Sequence, residues 1–448
     1  MKIVIIGGSH AGIAAAESIK KMSNEHEIIL IEKRESLGFV PSSLNFLFQN
    51  IPLMDVANLT GSVSPKSLTE IGIDLRLNSL VTKIRPEEQI IEVVNDHQNY
   101  QQSYDRLILA MGSEKFSIAE SIVETNVSDL LTYKYPTETT NAFHKLKESH
   151  HISIIGAGLI GLELANSLTL LPDKLVTVIE QNNRPLFRYF DASMTDILIR
   201  RQPKNLKIIY EKTLKSVRKK SNYVELLTYG GNTYRADTAV LALNPRPNSD
   251  LVSDPIQLDY DNTIKVNRHM QTDDPNVYAI GDLIKVPFGP NIDKAYLPLI
   301  SIARRTALIA TSHILGHSLS LEANFQRTIA SKIFNMYLGS TGITQEESLL
   351  LNIKIKEISK SFNYFSKIYE GKFNLTIKLI YSAENHVLLG AQLISSDQQS
   401  LQLLSLFSLA VAKRETLESM LLSEYFYAPS LSSDRDFVTE TILDSFIS

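Results

Sequence analysis

The sequence predicts an α/β protein with two Rossmann-like dinucleotide-binding domains and a C-terminal α+β domain. Three observations predict it. A strand–glycine turn–helix–strand unit occurs twice, at residues 2–32 and 152–180. A short apolar strand near residue 278 runs into Gly281-Asp282. Two alternating strands, Phe373–Tyr381 and Val387–Ile394, precede an apolar helix at Leu401–Lys413.

The first unit runs from Lys2 through Ile6 into Gly7-Gly8-Ser9-His10-Ala11-Gly12, and its second strand closes on Glu32. The second runs from Ile152 into Gly156-Ala157-Gly158-Leu159-Ile160-Gly161 and closes on Glu180. Each position has a physical reason. The first glycine makes the tight turn. The middle position must be small so that backbone can approach a pyrophosphate. The last glycine lets the helix pack against its strand, with the helix N-terminus facing the phosphates. The strand-end glutamate accepts from ribose hydroxyls. The second unit is complete, whereas the first has Ser9 at the middle position. Two such units imply two nucleotides, and electrons can pass between two bound nucleotides.

Aspartate after the Val277–Ile280 strand stands where open α/β sheets bind ligands. Two further strands end in turns suited to domain crossings: Leu107 to Ser113, through Ala110-Met111-Gly112, and Ala239 to Asn248, through Asn244. The expected organisation is a discontinuous first domain, 1–113 plus 245–320. A second dinucleotide domain, 114–244, is inserted within it, and a third unit spans 321–448.

Composition narrows the function. A net charge of −4 gives no reason to expect nucleic acid or an anionic membrane as partner. The longest apolar stretch, Leu401–Ala412, is too short for a membrane span and carries Gln402, Ser405 and Ser408. The N-terminal apolar run enters a glycine turn rather than a cleavage-like site, so a cytoplasmic protein is expected. The chain contains no cysteine, which removes disulfides, thiolate metal sites and thiol nucleophiles.

These landmarks, in this order, resemble the pyridine nucleotide–disulfide oxidoreductases, and within them the NADH oxidase, NADH peroxidase and coenzyme A-disulfide reductase group. The likeness rests on Gly8 to Gly12, Glu32-Lys33, Gly156 to Glu163, Val277 to Asp282, Ser340-Thr341-Gly342-Ile343 and Tyr427-Ala428-Pro429. It implies FAD on the first turn, with Glu32 at the adenosine ribose and Asp282 at the ribityl chain. It implies NADH on the second, with Glu180 favouring a 2′-hydroxyl over a 2′-phosphate or standing as a solvated strand-end charge. Further cofactor contacts are implied for Lys33, Val81, Ala110, Met111, Gly112, Asn244, Gly281 and Leu299. Glu163 corresponds to a glutamate near the nicotinamide or is a surface helix charge. A homodimer is implied, with Tyr427 reaching the partner's active site or packing in the core or interface without chemistry.

The chain departs from the family where the chemistry is most specific. The redox cysteine's position holds Ser42, followed by Ser43. A thiolate can cycle through sulfenic acid or a mixed disulfide, whereas a serine hydroxyl has no accessible redox state. Peroxidase, disulfide-reductase and water-forming oxidase chemistry through this position should be absent. His10, which the resemblance places opposite that residue, would hydrogen-bond Ser42, protonate a reduced oxygen species, or serve the turn's packing. Leu159 replaces an aromatic, and Met111 and Asn244 replace threonine and glycine. The leading expectation is an FAD-dependent NADH oxidase that forms hydrogen peroxide, or a reductase of a small acceptor such as a quinone. The rival is a catalytically idle FAD- and NADH-binding protein that serves sensing or assembly.

Overall fold

The computed structural model describes residues 1–48, 64–96, 98–114, 130–243, 245–252, 254, 256–290, 293–317, 319, 325–366, 371–426 and 436–446. Its first sheet is wholly parallel. The spatial order is Val277–Ala279, Arg106–Leu109, Lys2–Ile6, Glu27–Ile31, Asp74–Arg76. Ile3, Val4 and Ile5 are completely buried, as expected of a central parallel strand covered on both faces. Helix His10–Met22 buries Ala11, Gly12, Ala15 and Ala16 beside Ile13 and Ile19. It packs against helix Ile300–Ile314, which buries Ala303, Ala307 and Ala310. Small residues on both sides let the two helices approach closely. An antiparallel meander, Ser79–Arg85, Ile90–Asn95 and Asn99–Ser103, adds Val81, Ile84, Ile91 and Val93 to the same core.

The second sheet repeats the plan. Its order is Leu206–Ile209, Leu175–Ile179, His151–Ile155, Thr238–Leu241, Leu130–Leu131, again parallel. It has its own meander, Leu214–Lys219, Val224–Thr228 and Thr233–Ala236. The chain leaves the first sheet through Ser113–Glu114 and returns through Arg246–Pro247. These two short strands pair antiparallel, which ties the two crossings together.

The C-terminal sheet is antiparallel, in the order Ile329–Ile333, Met336–Gly342, Leu388–Ser395, Gly371–Ser382, Ile355–Ser366. The expected partners at 373–381 and 387–394 do pair, with Leu379 opposite Ala391. Helix Gln402–Lys413 buries Leu404, Phe407 and Ala410 on this sheet, one residue later than expected, because Leu401 closes a preceding 3-10 turn. Ser340-Thr341-Gly342 lies in the sheet's second strand, after Ile329–Ile333. Gly342 is held at φ +75°, against the Leu389 carbonyl, where a Cβ would not fit.

Ile329, Ile333, Phe334 and Leu338 of this domain share an apolar core with Leu162, Leu164 and Ala165 of the second. Beside that core, Lys378 (2% exposed) pairs with Asp191 (1%) at 2.9 Å. Gln392 donates to the same carboxylate at 3.0 Å, and the Gln345 N–H donates to its other oxygen at 2.9 Å. The third domain is thereby fixed on the second by apolar packing and by a satisfied buried charge. Among the described residues, no helix is long and apolar enough to cross a membrane.

Candidate nucleotide and redox site

The two glycine turns are the same object built twice. Gly7 sits at φ +111° and Gly156 at φ +104°, where L-residues are strained. A Cβ on either would strike a carbonyl of the neighbouring strand, Ala110 or Ala242. A Cβ on Gly12 would strike the Gly7 carbonyl, and one on Gly161 the Gly156 carbonyl. By contrast, a Cβ at Gly158 or Gly112 would meet open space. The protein's own packing therefore does not require glycine at 158. The requirement that remains is room for something else beside the helix N-terminus, which opens at Leu159.

Both strand-end glutamates fold back over their turns. Glu32 accepts the Gly8 N–H on Oε2 at 2.7 Å, and the Arg34 N–H (3.0 Å) and Nη1 (3.3 Å) on Oε1. Glu180 accepts the Ala157 N–H on Oε2 at 2.6 Å, and the Asn182 N–H (2.8 Å) and Nδ2 (2.6 Å) on Oε1. A carboxylate has about four lone-pair sites. Three are used in each case, so each glutamate keeps one acceptor site on Oε2, beside its turn. Lys33 forms an ion pair with Glu114 at 3.6 Å.

Gly281-Asp282 follows its strand as expected and opens a 3-10 turn. Ser113 Oγ donates to Asp282 Oδ2 at 2.7 Å, and Lys134 Nζ reaches Ser113 Oγ at 2.8 Å as well as the Ser113 carbonyl. Burial raises the Asp282 pKa, against the opposing effects of Ser113 and Lys134. Burial also lowers Lys134 to about 8. The Tyr296 hydroxyl is buried beside Ser113 without a hydrogen bond of good geometry, and its pKa is raised by burial and by Asp282 against the opposing effect of Ser113. Lys134 and Tyr296 were invisible to sequence reasoning, since neither lies in a motif. Ser113 was visible only as the end of a turn.

His10 starts the first helix, and its Nε2 is buried without a partner, so no hydrogen bond joins that nitrogen to Ser42. Burial and the nearby Arg304 guanidinium lower its pKa, opposed by a backbone hydrogen bond at Phe39. A neutral imidazole follows. Arg304, on helix Ile300–Ile314, is a second charged neighbour that no motif announced. Ser42 is the N-cap of helix Ser43–Leu47 and makes no side-chain cap bond. Ser43 Oγ and Asn45 Oδ1 are buried and unpartnered, while Leu44 packs in the core of the second and third domains. The Ser42 segment is thus docked across the domain boundary, not held by the first domain alone.

Glu163 is not a surface helix charge. Ser331 of the third domain donates to Oε1 at 2.6 Å, and burial raises its pKa despite that bond. One turn on, Asn166 accepts the Phe334 N–H at 2.8 Å. Leu159 packs against the core formed by the second and third domains, and Ile160 is 43% exposed beside it. Val81 and Ala110 are buried in the first core, and Met111 packs on that core from its edge. Leu299 packs against both the first and the second cores. Asn244 and Tyr427 lie outside the described residues. No group of three or more metal-ligating side chains occurs among the described residues.

Two glutamate-clamped glycine turns, one in each of two doubled domains, with an aspartate at the end of a first-domain strand, define a two-nucleotide oxidoreductase architecture. Comparison with known proteins agrees. Residues 1–307 match the model of the pyridine nucleotide-disulphide oxidoreductases, and residues 329–436 match the dimerisation domain of the same proteins. The chain is 25% identical over 434 residues to an NADH oxidase of Enterococcus faecalis, covering 96% of each. It superposes with TM-score 0.88 and 29% identity on a pyridine nucleotide-disulfide family oxidoreductase from Enterococcus faecalis, covering 100% of this chain and 99% of that one. A water-forming NADH oxidase from Lactobacillus brevis shares the fold, with TM-score 0.92 at 22% identity, covering 100% and 98%. The protein belongs to the pyridine nucleotide-disulphide oxidoreductase family, with no cysteine in its chain.

Proposed function

We propose that this protein is an FAD-dependent oxidoreductase that takes hydride from NADH and passes two electrons to oxygen, forming hydrogen peroxide, or to a small acceptor such as a quinone. One observation carries the reading: two glycine turns of the nucleotide-binding kind in a chain without a single thiol. Residues 1–113 with 245–320 would hold FAD, 114–244 would hold NADH, and 321–448 would join two copies as a homodimer in the cytoplasm.

The residues present fit both nucleotides. Open space at Gly112 and Gly158 is what a site shaped for a bound group leaves, and the buried His10 Nε2 is a polar atom at the first turn that still lacks a partner. Bound FAD supplies the two-electron chemistry between nicotinamide and acceptor. The chain's own residues position and insulate. Glu32 and Glu180 each offer one remaining lone pair to a ribose hydroxyl. Asp282, held by Ser113, presents a carboxyl to a polyol chain. Glu163, anchored by Ser331, stands one helical turn past the second glycine turn. His10, kept neutral by burial and Arg304, can donate or accept a proton at Nε2. Ser42 leaves no sulfur relay, so peroxide should be released and not reduced further.

The test is aerobic turnover of NADH with peroxide and water both quantified. Peroxide in stoichiometric amount with NADH supports the reading, and water as sole product refutes it. Anaerobic mixing with NADH separates this enzyme from an idle nucleotide-binding protein, because only the enzyme bleaches its flavin rapidly.

A further inference from the structure

We propose that Ser331, in the third domain, is a positioning residue for NADH oxidation: its hydrogen bond holds the Glu163 carboxylate toward the reactive ring of a nucleotide on the second turn, where that charge favours the oxidised ring. This role rests on that turn being the NADH site. Burial alternates along the edge strand Ile329–Ile333. Ile329 and Ile333 enter the core shared with the second domain. Ser331 stands between them on the same inward face, where an apolar residue is the ordinary choice. Its hydroxyl donates to Glu163 Oε1 at 2.6 Å. The other oxygen of Glu163, Oε2, makes no hydrogen bond among the described residues and is not sealed from solvent. Lys332 lies on the opposite side of the strand, with Nζ 5.0 Å from the Tyr337 ring, and brings no charge to the carboxylate.

Glu163 lies two residues past Gly161, where the three domains meet. Leu44 and Leu299 of the first domain pack with the core that holds Leu162 and Leu164. The Tyr133 hydroxyl donates to the Ile160 carbonyl at 3.5 Å, and its pKa is raised by burial and by Glu163. Lys134, the next residue, reaches Ser113 Oγ at 2.8 Å, and Ser113 in turn holds Asp282. The Glu163 carboxyl therefore stands on the side of the second turn that faces the first domain's strand end. Two nucleotides must bring their reactive rings together there for hydride to cross.

Hydride is one hydrogen with an electron pair. Its loss to the FAD of the proposed reaction breaks a C–H bond of the nicotinamide and leaves that ring with one positive charge. A carboxylate beside the ring stabilises the charge, and does so more strongly where water is scarce. A neutral carboxyl does not. Burial raises the Glu163 pKa, and the Ser331 hydrogen bond opposes that rise. Among the described residues no cation shares this task, and Tyr133 is the other titratable group facing the carboxylate. Without the Ser331 hydroxyl, Glu163 would stay neutral to higher pH, and the oxidised ring would lose its counter-charge.

The test is binding calorimetry on the purified, FAD-loaded full chain from about pH 5 to about pH 9. The probes are NAD⁺, a tetrahydronicotinamide analogue of NADH whose uncharged ring gives no hydride, and ADP-ribose, which lacks the ring. NAD⁺ affinity should rise at least about tenfold as Glu163 ionises, while affinities for the analogue and for ADP-ribose change less than about threefold. Ser331→Ala should move the midpoint of the NAD⁺ rise upward by about one pH unit and leave ADP-ribose affinity unchanged. Glu163→Gln should abolish the rise, and adding Ser331→Ala to it should then leave NAD⁺ affinity unchanged at every pH. An unmoved midpoint in Ser331→Ala overturns the proposal. So does a rise that survives Glu163→Gln or is shared by ADP-ribose. Absence of ADP-ribose binding in the original chain refutes the second nucleotide site itself, and the role of Ser331 with it.

Discussion

Replacing Glu180 by glutamine tests the second nucleotide site most directly. The carboxylate serves three donors: the Ala157 N–H on one oxygen, and the Asn182 N–H and Nδ2 on the other. An amide keeps one acceptor oxygen and turns a donor toward the other side. The less costly orientation keeps the oxygen on Asn182, where two bonds are satisfied, and sets the NH₂ against the Ala157 N–H. That leaves one buried donor unpaired, a cost of about 1–3 kcal/mol. The same choice removes the single lone pair assigned to the ribose, because it lay on the oxygen facing Ala157. Losing a charge-assisted bond of about 1.5–3 kcal/mol lowers kcat/KM for NADH roughly 10- to 100-fold. The negative charge that repels a 2′-phosphate disappears at the same time, so NADPH loses less or gains. The assay is steady-state kcat/KM for both nucleotides, with thermal melting in parallel. A fall of at least about tenfold in the NADH:NADPH ratio is expected. An unchanged ratio with a lower melting temperature refutes the argument and leaves Glu180 as a brace for the turn alone.

Three other outcomes follow from the same geometry. Ser42→Cys should introduce NADH-dependent peroxide consumption, about tenfold or more above the original chain, if the resemblance assigns the family's redox cysteine to this position correctly, because it places a thiol there; peroxide assays in air-free solution decide it. Lys134 has a folded pKa of about 8, below its unfolded value near 10.4. The unfolded chain therefore binds more protons between those values, and the nucleotide-free protein should gain stability relative to Lys134→Met as pH rises from about 8 to about 10. Melting curves across that window check it, and a flat difference contradicts it. Asp191→Ala strands the buried Lys378 with Glu357 alone, at 2.7 Å, and leaves the Gln345 N–H without its acceptor. It should cost about 3 kcal/mol in urea unfolding, and much of that loss should return when Lys378→Met is added.

The sequence alone carried the parts of this protein whose constraints are local. Gly12 and Gly7 are five residues apart, and the collision that forbids a Cβ at Gly12 lies within one turn. Gly161 and Gly156 repeat it, so the pattern is readable as letters. Alternation likewise exposed the C-terminal strand pair, because burial of one sheet face imposes a period of two. Cysteine's absence was plain from composition, and so was the loss of thiol chemistry.

Tertiary structure decided the rest, for one reason. The atoms that set charge and orientation at the candidate site come from distant segments, and no spacing rule links them. Ser113 meets Asp282 across 169 residues, and Ser331 meets Glu163 across 168. Lys378 finds Asp191 from another domain. Sequence could name Glu163 but left open whether it faced solvent. Packing of the second domain on the third removed the water around that carboxylate and supplied Ser331 in its place. Burial is a property of the assembled fold, so the protonation behaviour of Glu163, Asp282, Lys134 and His10 was fixed only when the domains came together.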